Sequence, residues 1–199
     1  MRPAELDALT AILATLSPTA HIVEFGSGGS TVWLANHLQF GQHLFSIEHD
    51  PVWYQKVRTE LDQYPQHLRQ LFVHLVLRED TLKMEILKVT LDGPTNGLLM
   101  TAYVDVSRYT PEESSAGRNG YLNLEYGNDW NRTELVVVDG VARGCCLALL
   151  RTVLPPGCLV LLHDYEACES EASRVEWYQF GVRLYQSVET VGSLAVLKA

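Results

Sequence analysis

Four polar stretches interrupt an otherwise apolar texture, each directly after a short apolar run: Glu24 to Thr31 ("EFGSGGST"), Glu48 to Asp50 ("EHD"), Asp139-Gly140, and His163 to Tyr165 ("HDY"). Gly26, Gly28 and Gly29 remove side chains where backbone must turn sharply and approach a ligand. Glu48 stands 22 residues beyond Gly26, where a carboxylate ending the next strand accepts hydrogen bonds from both hydroxyls of a ribose. A glycine turn with an acidic strand end implies an adenosine-containing ligand. The dinucleotide fingerprint G-x-G-x-x-G fails, because Thr31 occupies the third glycine position counted from Gly26. That disfavours a nicotinamide-dependent oxidoreductase.

These stretches need rigid elements to hold them. Leu6, Leu9, Ile12, Leu13 and Leu16 recur at helical spacing until Ser17-Pro18, predicting a leading helix. His21 to Phe25 reads as a strand, and Ser30 or Thr31 caps a helix running to Leu38. The unit repeats with a strand from His43 to Glu48 and a helix begun by Asp50 and Pro51, with Trp53, Val57, Leu61 and Tyr64 on one face. Asp50 reads from the sequence as a helix cap. Leu71 to Leu77 is a third strand, and Leu82 to Leu91 fits a short helix or an alternating strand equally.

Between about residues 92 and 132 glycines and asparagines collect around scattered aromatics from Tyr103 to Trp130, predicting a loop-rich insertion that is either a lid or a solvent-facing excursion. Regular structure returns with the strand Glu134 to Asp139, a helix from about Val141 to Leu154, and the strand "CLVLLHD" after Pro155-Pro156-Gly157. Nearly continuous apolar strands alternating with helices predict a parallel sheet covered on both faces. Val182 to Thr190 and Ser193 to Leu197 read as a closing antiparallel hairpin.

Composition limits the function classes. The 199 residues are 47% hydrophobic and 20% charged, which suits one domain with a sizeable core. The net charge of -9, spread along the chain, lacks the basic footprint that displaces counterions from nucleic acid. A small or neutral substrate fits better. No run approaches the ~18 apolar residues of a membrane span, and Glu5 and Asp7 interrupt any secretory signal. Cys145, Cys146, Cys158 and Cys168 show no zinc spacing and read as reduced thiols of a cytoplasmic protein.

With "VEFGSGG", "FSIEHD", "ELVVVDG" and "LPPGCLVLLHD" in this order, the chain resembles the class I S-adenosylmethionine-dependent methyltransferases over about two thirds of its length. The resemblance implies a three-layer α/β Rossmann-like fold with a mostly parallel seven-stranded sheet and a C-terminal antiparallel hairpin. It implies S-adenosylmethionine as cofactor, with Glu24 orienting its amino-acid portion and Gly26, Ser27, Gly28, Gly29, Ser30 and Thr31 forming the turn against it. Glu48 would take the ribose hydroxyls, with His49 or Asp50 near the adenine. Asp139, His163 and Asp164 would face the reacting methyl and its acceptor, with His163 as general base near neutral pH. Arg143 either holds an anionic group of the acceptor or bridges across a helix start. Some small-molecule O-methyltransferases of this fold bind a divalent cation at the two strand ends matched by Asp139 and Asp164. Tyr165 stands where they more often offer an amide or second carboxylate, which disfavours a metal. The competing reading is a cofactor-binding module without catalysis.

Overall fold

The computed structural model describes residues 1–48, 50–63, 73–77, 86–89, 100–103, 129–140, 143–165, 179 and 181–199. The leading helix α1 (Pro3–Thr15) precedes β1 (His21–Phe25), α2 (Gly29–His37), β2 (His43–Glu48), α3 (Pro51–Leu61) and β3 (Val73–Leu77). After β4 (Ile86–Val89) and β5 (Met100–Tyr103) come β6 (Thr133–Val138), α4 (Arg143–Val153), β7 (Leu159–Leu162), β8 (Gln186–Val191) and β9 (Leu194–Lys198).

The main sheet has the order β3-β2-β1-β6-β7-β9-β8. β3, β2, β1, β6 and β7 pair in parallel, while β9 runs antiparallel to both β7 and β8. This is the expected α/β architecture, a mostly parallel sheet closed by a C-terminal antiparallel hairpin. The chain builds outward from β1 to β3, then returns to β6 on the opposite side of β1. Strand order therefore reverses between β1 and β6, and in open α/β sheets ligands bind beyond the carboxyl ends of the strands at such a reversal.

Apolar residues alternate between the two faces along each strand. Val23, Phe25, Val136, Val138 and Leu162 pack with Leu147 and Leu150 of α4. Ile22, Leu135, Val137 and Leu161 pack with Leu9, Ile12 and Leu13 of α1 and Leu34 of α2. Sequestering both faces explains why β6 reads as an unbroken apolar run, with Leu135 to Val138 fully buried. The thiols of Cys146 and Cys158 are buried in the first cluster.

Two local expectations, the cap of α2 and the start of β8, need correction. Gly28, not Ser30 or Thr31, precedes the first residue of α2, because both hydroxyls are drawn to a buried carboxylate described below. The ambiguous segment around 86–89 is a strand, paired antiparallel with β5, so the stretch from 92 to 132 is not wholly loop; most of it, including the proposed lid, lies outside the described residues. β8 begins at Gln186 rather than Val182, since residues 181–183 are helical. Tyr64 lies outside the described residues. Among the described residues, no helix is long and apolar enough to cross a membrane.

Candidate active site

The parallel ladder continues past each strand end. Gly26 N–H donates to Ile47 O (2.8 Å), Asp139 N–H to Phe25 O (2.9 Å) and His163 N–H to Val138 O (3.1 Å). The polar residues that follow β1, β6 and β7 are thereby fixed by sheet geometry.

Gly26 has φ of 94°, in the left-handed region, and a Cβ there would lie 2.4 Å from both Cα and N of Gly140. Here the missing side chain makes room for the chain's own backbone: the turn after β1 crosses the turn after β6. The sequence alone suggests a ligand in that space, but Gly140 of the visible "DG" pair fills it. Gly28 and Gly29 are different. A Cβ on Gly29 meets nothing within 4 Å, and one on Gly28 first meets Trp53 Nε1 at 3.7 Å. The open part of the turn is therefore Gly28-Gly29.

Glu24 supports this turn from beneath. Its carboxylate is fully buried and accepts hydrogen bonds from the hydroxyls of Ser30 (2.6 Å), Thr31 (2.5 Å) and Ser46 (2.6 Å). Thr31 Oγ1 also accepts from Gly28 N–H at 2.7 Å. Burial pushes the Glu24 carboxyl up to about 7, against the three hydroxyls, and the neighbouring Asp139 charge adds to the rise. The residue that breaks the dinucleotide fingerprint, Thr31, ties helix α2 to strand β1.

Ser27 is gripped from three sides. Its N–H donates to Glu48 Oε2 (2.9 Å), its hydroxyl bonds the Ser46 hydroxyl (2.7 Å), and its carbonyl accepts from the Trp53 indole N–H. Glu48, buried at the end of β2, also accepts from Asp50 N–H through Oε1 (2.9 Å). Asp50 caps α3, accepting from Val52 N–H and Trp53 N–H. Trp53 remains 43% exposed beside the glycine turn, with the Lys56 ammonium 4.2 Å from its ring centroid. Helical periodicity alone had placed Trp53 on an apolar helix face; its position one turn after a strand-ending acid was the available signal. His49 lies outside the described residues.

The second half of the site follows β6 and β7. Arg143 Nη2 donates to Asp139 O (3.0 Å) and lies 3.3 Å from both Asp139 Oδ1 and Asp164 Oδ2, while Nε donates to Gly140 O (3.0 Å). His163 Nδ1 lies 2.9 Å from Asp139 Oδ1 and 3.4 Å from Asp164 Oδ1, and Nε2 lies 3.3 Å from Glu5 Oε2. The Asp139 hydrogen bond raises the His163 pKa; burial opposes this, and the charges of Asp139 and Asp164 and the Glu5 contact reinforce it. A ring engaged by carboxylates at both nitrogens has no nitrogen open to a substrate proton. A general-base role for His163 requires the neutral ring, with one nitrogen turned from its carboxylate to the substrate.

Glu5 was not anticipated, because a single acid among the leucines of an amphipathic helix reads as solvent-facing. It is fully buried and accepts from Arg2 N–H (2.6 Å), Ser193 N–H and Ser193 Oγ (both 2.9 Å). Burial raises its pKa, but the backbone donors of Arg2 and Ser193, the Ser193 hydroxyl and His163 outweigh that and hold it at about 2.

Asp139, His163 and Asp164 each offer a ligand atom, all within 4.8 Å of one another. A hard divalent cation would need these atoms as lone-pair donors with further oxygens around it. Instead the Arg143 guanidinium bridges the two carboxylates and the imidazole faces them with Nδ1. This donor set does not fit a divalent cation.

No protein-family model matches the chain, and no curated protein matches its sequence. Solved structures do match its fold over the whole chain. A methyltransferase-like protein from Silicibacter pomeroyi is 20% identical, with a TM-score of 0.61 over 100% of this chain and 86% of that one. An O-methyltransferase from Bacillus cereus in complex with SAH is 14% identical, with a TM-score of 0.62 over 100% and 82%. A protein from Clostridium thermocellum described as an rRNA methylase is 12% identical, with a TM-score of 0.55 over 100% and 97%. The fold is that of the class I S-adenosylmethionine-dependent methyltransferases.

Proposed function

We propose that the chain is an S-adenosylmethionine-dependent methyltransferase acting on a small-molecule or sugar-like acceptor. The observation that carries this reading is the convergence of three features where strand order reverses: the open Gly28-Gly29 turn, the buried Glu48 carboxylate that holds it, and Asp139 one residue past β6. These features fit the cofactor. Gly28 and Gly29 leave room for its amino-acid portion, with Glu24, Ser30 and Thr31 fixing the loop from below, and Glu48 addresses the ribose hydroxyls from β2.

When bound, the cofactor supplies a sulfonium-activated methyl group for in-line displacement by the acceptor. The protein's contribution is alignment, for which well-oriented reactions gain up to about 7–11 kcal/mol. Asp139 and Asp164 present carboxylates to the acceptor hydroxyl or amine, and His163 and Arg143 set their orientation. The net charge of -9 supports a small acceptor over a polyanionic one; that one structural neighbour is described as an rRNA methylase leaves the acceptor class to experiment.

A specific observation favours a second reading, a cofactor-binding module without catalysis: His163 is bonded through both ring nitrogens, and Arg143 contacts both aspartates. Methyl transfer from labelled cofactor to a panel of hydroxyl and amine acceptors separates the two. Transfer to any acceptor supports the enzyme, and tight cofactor binding with transfer to none supports the module.

A further inference from the structure

We infer that Arg143 is a built-in cation that takes the place between Asp139 and Asp164 and excludes a divalent ion from it. The guanidinium is anchored independently of the carboxylates, through Nε to Gly140 O and Nη2 to Asp139 O, both at 3.0 Å. Those two backbone bonds aim Nη2 at Asp139 Oδ1 and Asp164 Oδ2, each 3.3 Å away. Asp139 Oδ1 is shared with His163 Nδ1, so the oxygen a metal would take already faces two nitrogen groups.

The arrangement is rigid where it matters. Arg143 is the first residue of α4, and Gly140 and Asp139 follow β6 directly. Its side chain is only 15% exposed. A guanidinium stays protonated at any accessible pH and presents its donors in a fixed fork, so this charge persists wherever a metal would compete. The chain thus supplies from its own sequence the positive charge that would otherwise have to be recruited from solution, and a chelator has nothing to remove. Without Arg143 the same cluster would retain two carboxylates and one imidazole within 4.8 Å of one another, with their mutual repulsion uncompensated on one side.

The test is an Mn2+ titration of the full chain, followed by electron paramagnetic resonance and run without cofactor, so that its outcome is independent of the methyltransferase reading. Wild-type protein should bind no Mn2+ at this cluster up to millimolar concentration. Arg143→Ala should gain one Mn2+ site at least ~10-fold tighter than any wild-type background, equivalent to about 1.4 kcal/mol, and adding Asp164→Asn should abolish it. If Arg143→Ala does not fold by circular dichroism, Arg143→Gln serves instead, since its amide retains a donor for the backbone carbonyls. Mn2+ binding by wild type that Asp164→Asn removes would overturn the inference. So would a folded Arg143 variant that gains no site.

Discussion

At the residue scale, glycines of one motif do different work. Gly26 combines a left-handed backbone with a 2.4 Å approach to Gly140, so Gly26→Ala must strain the backbone by about 1–2 kcal/mol and also displace the turn after β6. A large loss of thermal stability is expected for Gly26→Ala. Gly29 opens α2 and faces empty space, so Gly29→Ala should leave the melting temperature unchanged or raise it slightly while weakening cofactor binding; calorimetric melting paired with a binding titration checks both. The glycine cluster and the strand-ending acids were legible in the sequence because turns and carboxylates after apolar runs have local signatures. The Gly26-Gly140 crossing was not, because it joins residues more than a hundred positions apart. Glu5 was hidden for the same reason: its partners, Ser193 and His163, come from the far end of the chain. The titrations of these acids act in opposite senses. Glu5 is held at about 2, so its stabilisation is present above its ordinary 4.5 and is lost as pH falls through about 2. Glu24 is raised to about 7, so its contribution is present below 4.5 and is lost as pH rises through about 7. Urea midpoints measured across pH should show both arms, with Glu5→Gln flattening only the acidic one.

At the element scale, α1 belongs to the site rather than merely covering the sheet. Through Glu5 it connects the turn between β8 and β9 to His163 after β7. Removing that carboxylate leaves Ser193 N–H and the His163 ring without their buried partner, so Glu5→Ala should cost about 2–4 kcal/mol of unfolding free energy, read by urea denaturation. Nuclear magnetic resonance of the His163 ring should show a lowered pKa in the same variant; an unshifted ring would mean that α1 does not act on the site. Strands β1, β2, β6 and β7 were readable as elements because residues buried on both faces leave unbroken apolar runs. The start of α2 was misplaced because capping preference is a local rule, and Ser30 and Thr31 obey a tertiary demand, the buried Glu24 carboxylate. The pairing of β4 with β5 was invisible because short runs carry helix and strand periodicity equally well.

At the scale of the whole molecule, the reversal of strand order between β1 and β6 brings together at the strands' carboxyl ends residues that the sequence scatters from Gly26 to Asp139. The ordered motifs conveyed that architecture, whereas the charge compensation at Asp139 and Asp164 emerged only from the structure, since Arg143 reads locally as a helix-start residue. On the proposed function, the glycine turn and Glu48 hold a sulfonium nucleoside at this end of the sheet. Isothermal titration of S-adenosylhomocysteine into wild type and Glu48→Ala tests it most directly. One site is expected, with a dissociation constant of roughly tens of micromolar or tighter, weakened at least ~10-fold, about 1.4 kcal/mol, in a Glu48→Ala protein that still folds. Absence of binding to wild type at millimolar ligand, or an affinity indifferent to Glu48, would contradict it.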